Sequence, residues 1–300
     1  MKTLRYAVRH STVYKYALPV TISHHLARLT PRNTACQQIS NAAVTLSIPA
    51  SSVTEGRDCF GNKTTFFVVE EPHTEMAVVS CFEAEVYEKK LPDFSKTPTL
   101  DEVRGFIISP KDKDSLEASL MSFPSRFAPV LHEVRDYAAE SIRPDRPVLE
   151  AAEDLTRRIY RDFKYDPSAT SIATPVNEVL TLRRGVCQDF AHLAISCFRS
   201  FGLPARYVSG YVRTYRDPSS SASAGDIAMV GADASHAWFS VFVPELGWID
   251  FDPTNDKVVQ TEHITIGWGR DFDDLSPVKG VMLGGGDHTI SVDVSVVSCD

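Results

Sequence analysis

The chain has 300 residues and a formal charge of −8, with Lys+Arg 31 against Asp+Glu 39. That balance lacks the basic stripe of a nucleic-acid binder and offers anionic lipid no polybasic attraction. Hydrophobic residues at 43% and charged residues at 23% exclude wholesale disorder.

The opening MKTLRYAVRHSTVYKY alternates and has no signal-peptide apolar core, and no run approaches the ~20 apolar residues of a membrane span. The six cysteines (Cys36, Cys59, Cys81, Cys187, Cys197, Cys299) form no C-x-x-C pair and are too sparse for a stapled secreted scaffold. A cytoplasmic protein with free thiols is the expectation.

Residues 1–90 read as a β-domain. Tyr6, Val8, His10, Thr12, Tyr14 and Tyr16 fall on alternate positions, the period of a half-buried strand. Further strand runs are expected at 43–48, 64–69 and 76–87. Asp58-Cys59-Phe60-Gly61-Asn62 between two of them reads as a turn. Residues 91–125, rich in Pro, Ser, Lys and Asp, read as a linker with room for one short helix.

Residues 126–300 then change character. Helices are expected after Pro129, after Pro147, and after Thr174-Pro175 as N-cap and first helical residue. A fourth starts at Cys187, carries a stripe from Phe190 to Phe198, and stops at Gly202 and Pro204. Strands follow at 205–211, 237–243, 248–251 and 289–297, with a Ser/Ala/Gly-rich loop at 219–225.

Cys187 opens a helix just after a glycine. Unpaired N–H groups and the helix dipole favour a thiolate there and can hold an oxyanion on an attacked carbonyl. Downstream, His236 begins an alternating strand and Asp252 closes the next one, where Pro253 ends pairing. These are the parts of a Cys-His-Asp triad, in which the histidine takes the thiol proton and the carboxylate fixes the tautomer. Asp250 competes for the acid role, but it points to the other face of the strand.

Other groups read as structure. His192 lies about 140° around the helix from Cys187 and is expected behind the site. Cys187, His192 and His236 lack zinc-ligand spacing. The Asp271–Asp274 run lacks a calcium-loop pattern. Ser235 points away from its neighbour His236. Trp238 and Trp248 are expected to pack the strands, although either could line a cleft mouth. Neither a cofactor nor a metal is expected.

The blocks Gly185-Val186-Cys187-Gln188-Asp189-Phe190-Ala191-His192, Leu203 to Tyr211, Ser235-His236-Ala237-Trp238 and Gly247-Trp248 to Asn255 closely resemble the bacterial transglutaminase-like (cysteine protease-like) superfamily. Tyr14-Lys15-Tyr16, Arg28 to Arg32, Asp58 to Asn62 and Pro72-His73 resemble the β-domain preceding that core in many bacterial members. Residues 269–272 and 276–280 resemble its closing segment.

The resemblance implies an α+β fold. A β-sandwich-like N-terminal domain would be followed by a papain-like core of helices on an antiparallel sheet. It carries the catalytic roles onto Cys187, His236 and Asp252, selecting Asp252 over Asp250. The implied activity is acyl transfer through a thioester on a peptide or carboxamide, by hydrolysis or transamidation. The expected partner is a peptide or protein substrate, not nucleic acid or membrane. The backbone N–H of Cys187 would be one oxyanion donor, with Tyr165 or Gln188 as contenders for the second. The rivals are a catalytically silent scaffold on the same fold, and a chain whose β-domain recruits a partner.

Overall fold

The structure, a computed structural model, describes residues 2–213, 229–230 and 235–299. It begins with five antiparallel strands: β1 (Thr3–Ala27), β2 (Gln37–Leu46), β3 (Ser52–Arg57), β4 (Lys63–Val69) and β5 (His73–Tyr87). Their order is β2-β5-β1-β4-β3. The alternation in β1 is real: Tyr6, Val8, His10 and Thr12 are buried while Arg5, Ala7 and Arg9 face solvent. The turn at 58–62 forms as expected. Asp58 Oδ1 accepts the N–H groups of Phe60 and Asn62, at 3.0 and 2.9 Å.

The segment expected as a linker is instead built into the core. It holds a 3₁₀ turn at Phe94–Lys96 and two helices, α1 (Leu100–Ile108) and α2 (Lys113–Leu120). Both helices are capped by side chains, Thr99 with Glu102 and Asp112 with Ser115. Leu100 and Val103 are buried in the main hydrophobic core, which a free linker would not supply.

The remaining helices are α3 (His132–Ala138), α4 (Val148–Asp162), α5 (Val176–Leu182) and α6 (Cys187–Arg199), with the short strands β6 (Lys164–Tyr165) and β7 (Arg184–Gly185) pairing in parallel beside them. Pro175 is the N-cap of α5, so that helix starts one residue later than expected. All thirteen residues of α6 are buried. Gly202 takes the left-handed conformation, φ +70°, that ends the segment.

The second sheet has order β11-β10-β9-β8-β12, from β8 (Ala205–Val212), β9 (His236–Val243), β10 (Gly247–Asp252), β11 (Lys257–Val258) and β12 (His263–Gly269). α6 packs on it, with Phe198 6.1 Å from Phe239 between ring centroids. The expected loop at 219–225 lies outside the described residues. After the short helix α7 (Phe272–Leu275), β13 (Val278–Gly284) and β14 (His288–Ser298) pair with β1. Residues 278–298 thus belong to the first sheet and not to the second, although the sequence assigned them to the core.

The two sheets share a core of Tyr6, Val8, Val294 and Val296 against Tyr211, Ile264 and Ile266. Side-chain amides seal the seam to the β12 backbone. Gln37 exchanges hydrogen bonds with Thr265, 2.8 Å each way. Asn62 accepts the Trp268 N–H at 3.0 Å and donates to its carbonyl at 2.8 Å. No helix among the described residues is long and apolar enough to cross a membrane.

Candidate active site

Three elements converge on one cleft. Cys187 is the first residue of α6, His236 the first of β9 and Asp252 the last of β10. The local fold at α6 depends on Asp189, whose Oδ2 accepts the Val186 N–H at 2.8 Å and the Thr170 hydroxyl at 2.6 Å. A Cβ on Gly185 would meet that same oxygen at 2.6 Å, so only glycine lets the chain turn this tightly into the helix.

His236 Nε2 donates to Asp252 Oδ2 at 2.8 Å, and neither side chain reaches solvent. The thiol of Cys187 lines the same cleft as this ring, and its charge acts on it. Among the described residues Nδ1 makes no hydrogen bond and is the ring nitrogen that Asp252 leaves free. Burial works against the imidazolium, but the charges of Asp252 and Cys187 overcome it and push His236 up to about 10. Burial also opposes the Asp252 carboxylate. The His236 charge, with hydrogen bonds from two histidines, holds it well below the usual carboxylate range.

Asp250 is not in this arrangement. It sits on the other face of β10, where its carboxylate accepts the Ser240 hydroxyl. His192 is also apart: its ring lies between Phe127 and Tyr207, 5.5 and 5.0 Å between centroids. Its Nε2 accepts the Phe272 N–H at 3.2 Å, and burial lowers it to about 3. Cys187, His192 and His236 therefore do not form a ligand set. Trp238 is fully buried and Trp248 lines a separate cavity between the two sheets. Tyr165 and Gln188, the contenders for a second oxyanion donor, both line the Cys187 cleft, which measures about 370 Å³.

Two partners of Asp252 went unread in the sequence. Asn255 Nδ2 donates to Oδ2 at 2.7 Å and His263 Nε2 donates to it at 3.0 Å. Oδ1 accepts the Thr254 N–H at 2.9 Å. Ligand-type atoms of His236, Asp252 and His263 lie within 4.8 Å of one another. They are engaged as two N–H···O bonds to one oxygen, and a metal ion would have to displace both protons.

Comparison with known proteins agrees with this architecture. Residues 135–253 match the transglutaminase-like superfamily model, and residues 6–85 match the bacterial transglutaminase-like N-terminal region. An uncharacterised protein of Mycobacterium tuberculosis is 38% identical over 304 residues, 98% of this chain and 92% of that protein. One from Mycobacterium leprae is 35% identical over 97% of this chain and 98% of its own length. A Pseudomonas aeruginosa protein-glutamine gamma-glutamyltransferase is 31% identical over 33% of this chain and 15% of its own length. A crystal structure from Cytophaga hutchinsonii, provisionally assigned as a cysteine protease, superposes with TM-score 0.75 at 19% identity, covering 100% of this chain and 92% of that one. The α+β core with its N-terminal β-domain, and the extent of these matches, place the chain in the transglutaminase-like superfamily.

Proposed function

We propose that this protein is a cysteine-dependent acyl-transfer enzyme working through a thioester, with Cys187 as nucleophile, His236 as acid–base and Asp252 as its orienting carboxylate. The observation that carries this reading is the position of His236. One ring nitrogen is anchored 2.8 Å from buried Asp252, and the ring shares its cleft with the thiol at the start of α6.

The Cys187 sulfur bonds to the carbonyl carbon of a carboxamide or peptide, and charge moves onto the carbonyl oxygen. N–H groups at the α6 N-terminus face that charge. The C–N bond then breaks, and His236 delivers its proton to the departing amine. Water or a second amine next attacks the thioester, gives its proton to His236 and frees the thiolate. Asp252 stays ionised throughout.

The test is intact-protein mass spectrometry after exposure to an electrophilic peptide ketone near pH 6. A single adduct on Cys187, lost in Cys187→Ala and in His236→Ala, is expected. Equal, slow modification of all six cysteines would instead indicate a silent scaffold.

A further inference from the structure

The sheet built on β1 also forms a wall of the cleft. In its pairing with β14, Tyr6, Val8, His10, Thr12 and Tyr14 stand opposite Ser298, Val296, Val294, Val292 and Ile290. Directly opposed residues project to one face, and alternate residues along a strand share it. One two-column stripe therefore runs down this face. Near one end, Tyr6, Val8, Val294 and Val296 are buried against the second sheet. Farther along, Thr12, Tyr14, Val292 and Ile290 line the cleft holding Cys187 and His236. The core between the sheets opens into the cleft, so the same stripe passes from contact with protein to contact with whatever enters.

This wall is uncharged. None of the described residues lining the cleft is Asp, Glu, Lys or Arg. His10 is neutral near pH 7: burial lowers it to about 4, and its nitrogens engage Tyr211 Oη at 2.8 Å and Thr12 Oγ1 at 2.9 Å. Tyr14 is pushed up to about 12, first by burial. Ile290 and Val292 are 54% and 45% exposed. They offer apolar area inside a concave site, where an incoming apolar group gains most. A charged group entering at this wall would lose water and find no Asp, Glu, Lys or Arg among the described lining residues, the cleft's charge being confined to the reacting Cys187 and His236.

We propose that the β1–β14 stripe at Thr12, Tyr14, Ile290 and Val292 is a specificity subsite. It selects an aliphatic or aromatic side chain at or next to the residue whose carbonyl Cys187 attacks. The proposal rests on the thioester reading of Cys187. The N-terminal sheet and the chain's last strand thereby set substrate choice for chemistry housed in the other sheet.

The test uses the full chain and three dipeptidyl acyloxymethyl ketones, with Leu, Lys or Asp at both positions. Labelling of Cys187 is followed by intact mass, and iodoacetamide serves as a reagent with no side chain to select. The Leu probe is expected to react at least about tenfold faster than the other two. Ile290→Asp should reduce that rate about tenfold and raise the Lys rate. Val292→Thr, nearly isosteric, should lower the Leu rate several-fold, so a poorly folded Ile290→Asp does not end the test. Probe rates within twofold of one another, or Leu-to-Lys rate ratios unchanged in both variants, would overturn the subsite while iodoacetamide labelling of Cys187 left the nucleophile in place. Failure of iodoacetamide to prefer Cys187 would overturn the nucleophile and the subsite with it.

Discussion

Helix α6 carries two cysteines ten positions apart in very different surroundings, and the contrast explains why one can be chemical and the other cannot. Cys187 stands at the N-terminal end, 8% exposed, at the wall of a cleft it shares with the His236 imidazole. Cys197 lies near the other end, fully buried, its sulfur 4.0 Å from the Val134 carbonyl, and burial pushes its thiol far above the usual range. The ends of the helix are also fixed differently. Asp189 accepts hydrogen bonds at the N-terminal turn. At the C-terminal end the buried Arg199 guanidinium donates to the carbonyls of Met121, Ala205 and Arg270 at 2.8–2.9 Å and to Ser125 Oγ at 2.8 Å. A thiol becomes a nucleophile through dipole, partner base and access together, and one helix offers that combination at one end only.

The largest effect tests that contrast directly. Cys187→Ala is expected to bring acyl transfer to background, a loss on the order of 10⁶-fold, with little change in urea midpoint. Cys197→Ala should leave turnover within about twofold and cost about 1 kcal/mol of stability. Comparable activity losses in the two variants, measured on the same peptide, would erase the distinction between the two ends.

The acid is the next point of leverage. Asp252→Asn keeps an oxygen for its three side-chain donors but removes the charge, and turnover is expected to fall on the order of 10³-fold. Asp250→Asn, on the opposite face, should stay within about twofold. The sign of the pH effect follows from His236. Its ordinary value is 6.5 and the folded chain raises it to about 10, so the folded state retains a proton that the unfolded chain releases. The stability this supplies is complete below pH 6.5 and is lost as pH climbs to about 10. Urea midpoints of the parent chain should decline over that window. In Asp252→Asn the decline should shrink and the alkaline limb of turnover should move to lower pH.

Much of this was legible because the chemistry sits in short contiguous blocks. Cys187 at a glycine-to-helix turn, His236 at a strand start and Asp252 before a proline are local patterns. Strand parity separated Asp250 from Asp252 without saying which faced the imidazole; that depends on how β10 lies against β9. His263 was invisible for a related reason. It is a single histidine opening a strand, and it reaches Asp252 only because β12 pairs with β8, with His263 opposite Val212. Alternation likewise identified the last strand but not its neighbour, since pairing with β1 closes nearly the whole chain length. The supposed linker is a different case. Its caps, Thr99 with Glu102 and Asp112 with Ser115, were written locally, but Pro, Lys and Asp around them outweighed the few apolar residues that dock.

The C-terminal clamp gives the third effect. Arg199→Leu takes a donor from three carbonyls, of which Met121's keeps the Ala205 N–H, and should cost about 2–3 kcal/mol. The informative readout is thiol labelling under native conditions. Cys197 should become reactive as the clamped end opens, while Cys187 in the folded fraction keeps its rate. Parallel changes at both thiols would mean that α6 opens as one unit and that its ends are not independent.

The smallest effect is at the N-terminal end, where two terms oppose. Asp189 is favoured by the helix dipole, worth about 0.3–1 kcal/mol. Burial nevertheless raises its carboxyl above the ordinary value despite the bonds from Thr170 and Val186. Both bonds fall on Oδ2, so the single oxygen of an asparagine can accept them both. Asp189→Asn should therefore stay within about 1 kcal/mol of the parent at pH 7. The pH dependence carries the discrimination. A carboxyl raised on folding binds its proton more readily in the folded chain, so its penalty eases as pH falls through the folded value toward the unfolded one. The parent should gain on Asp189→Asn as pH falls from 7 to 4, in paired urea titrations where all other groups cancel. A constant difference would mean that Asp189 titrates as it does in the unfolded chain and that the N-terminal turn is wetter than its burial implies. The shelter of the Cys187 end would then come from the cleft walls and not from the helix.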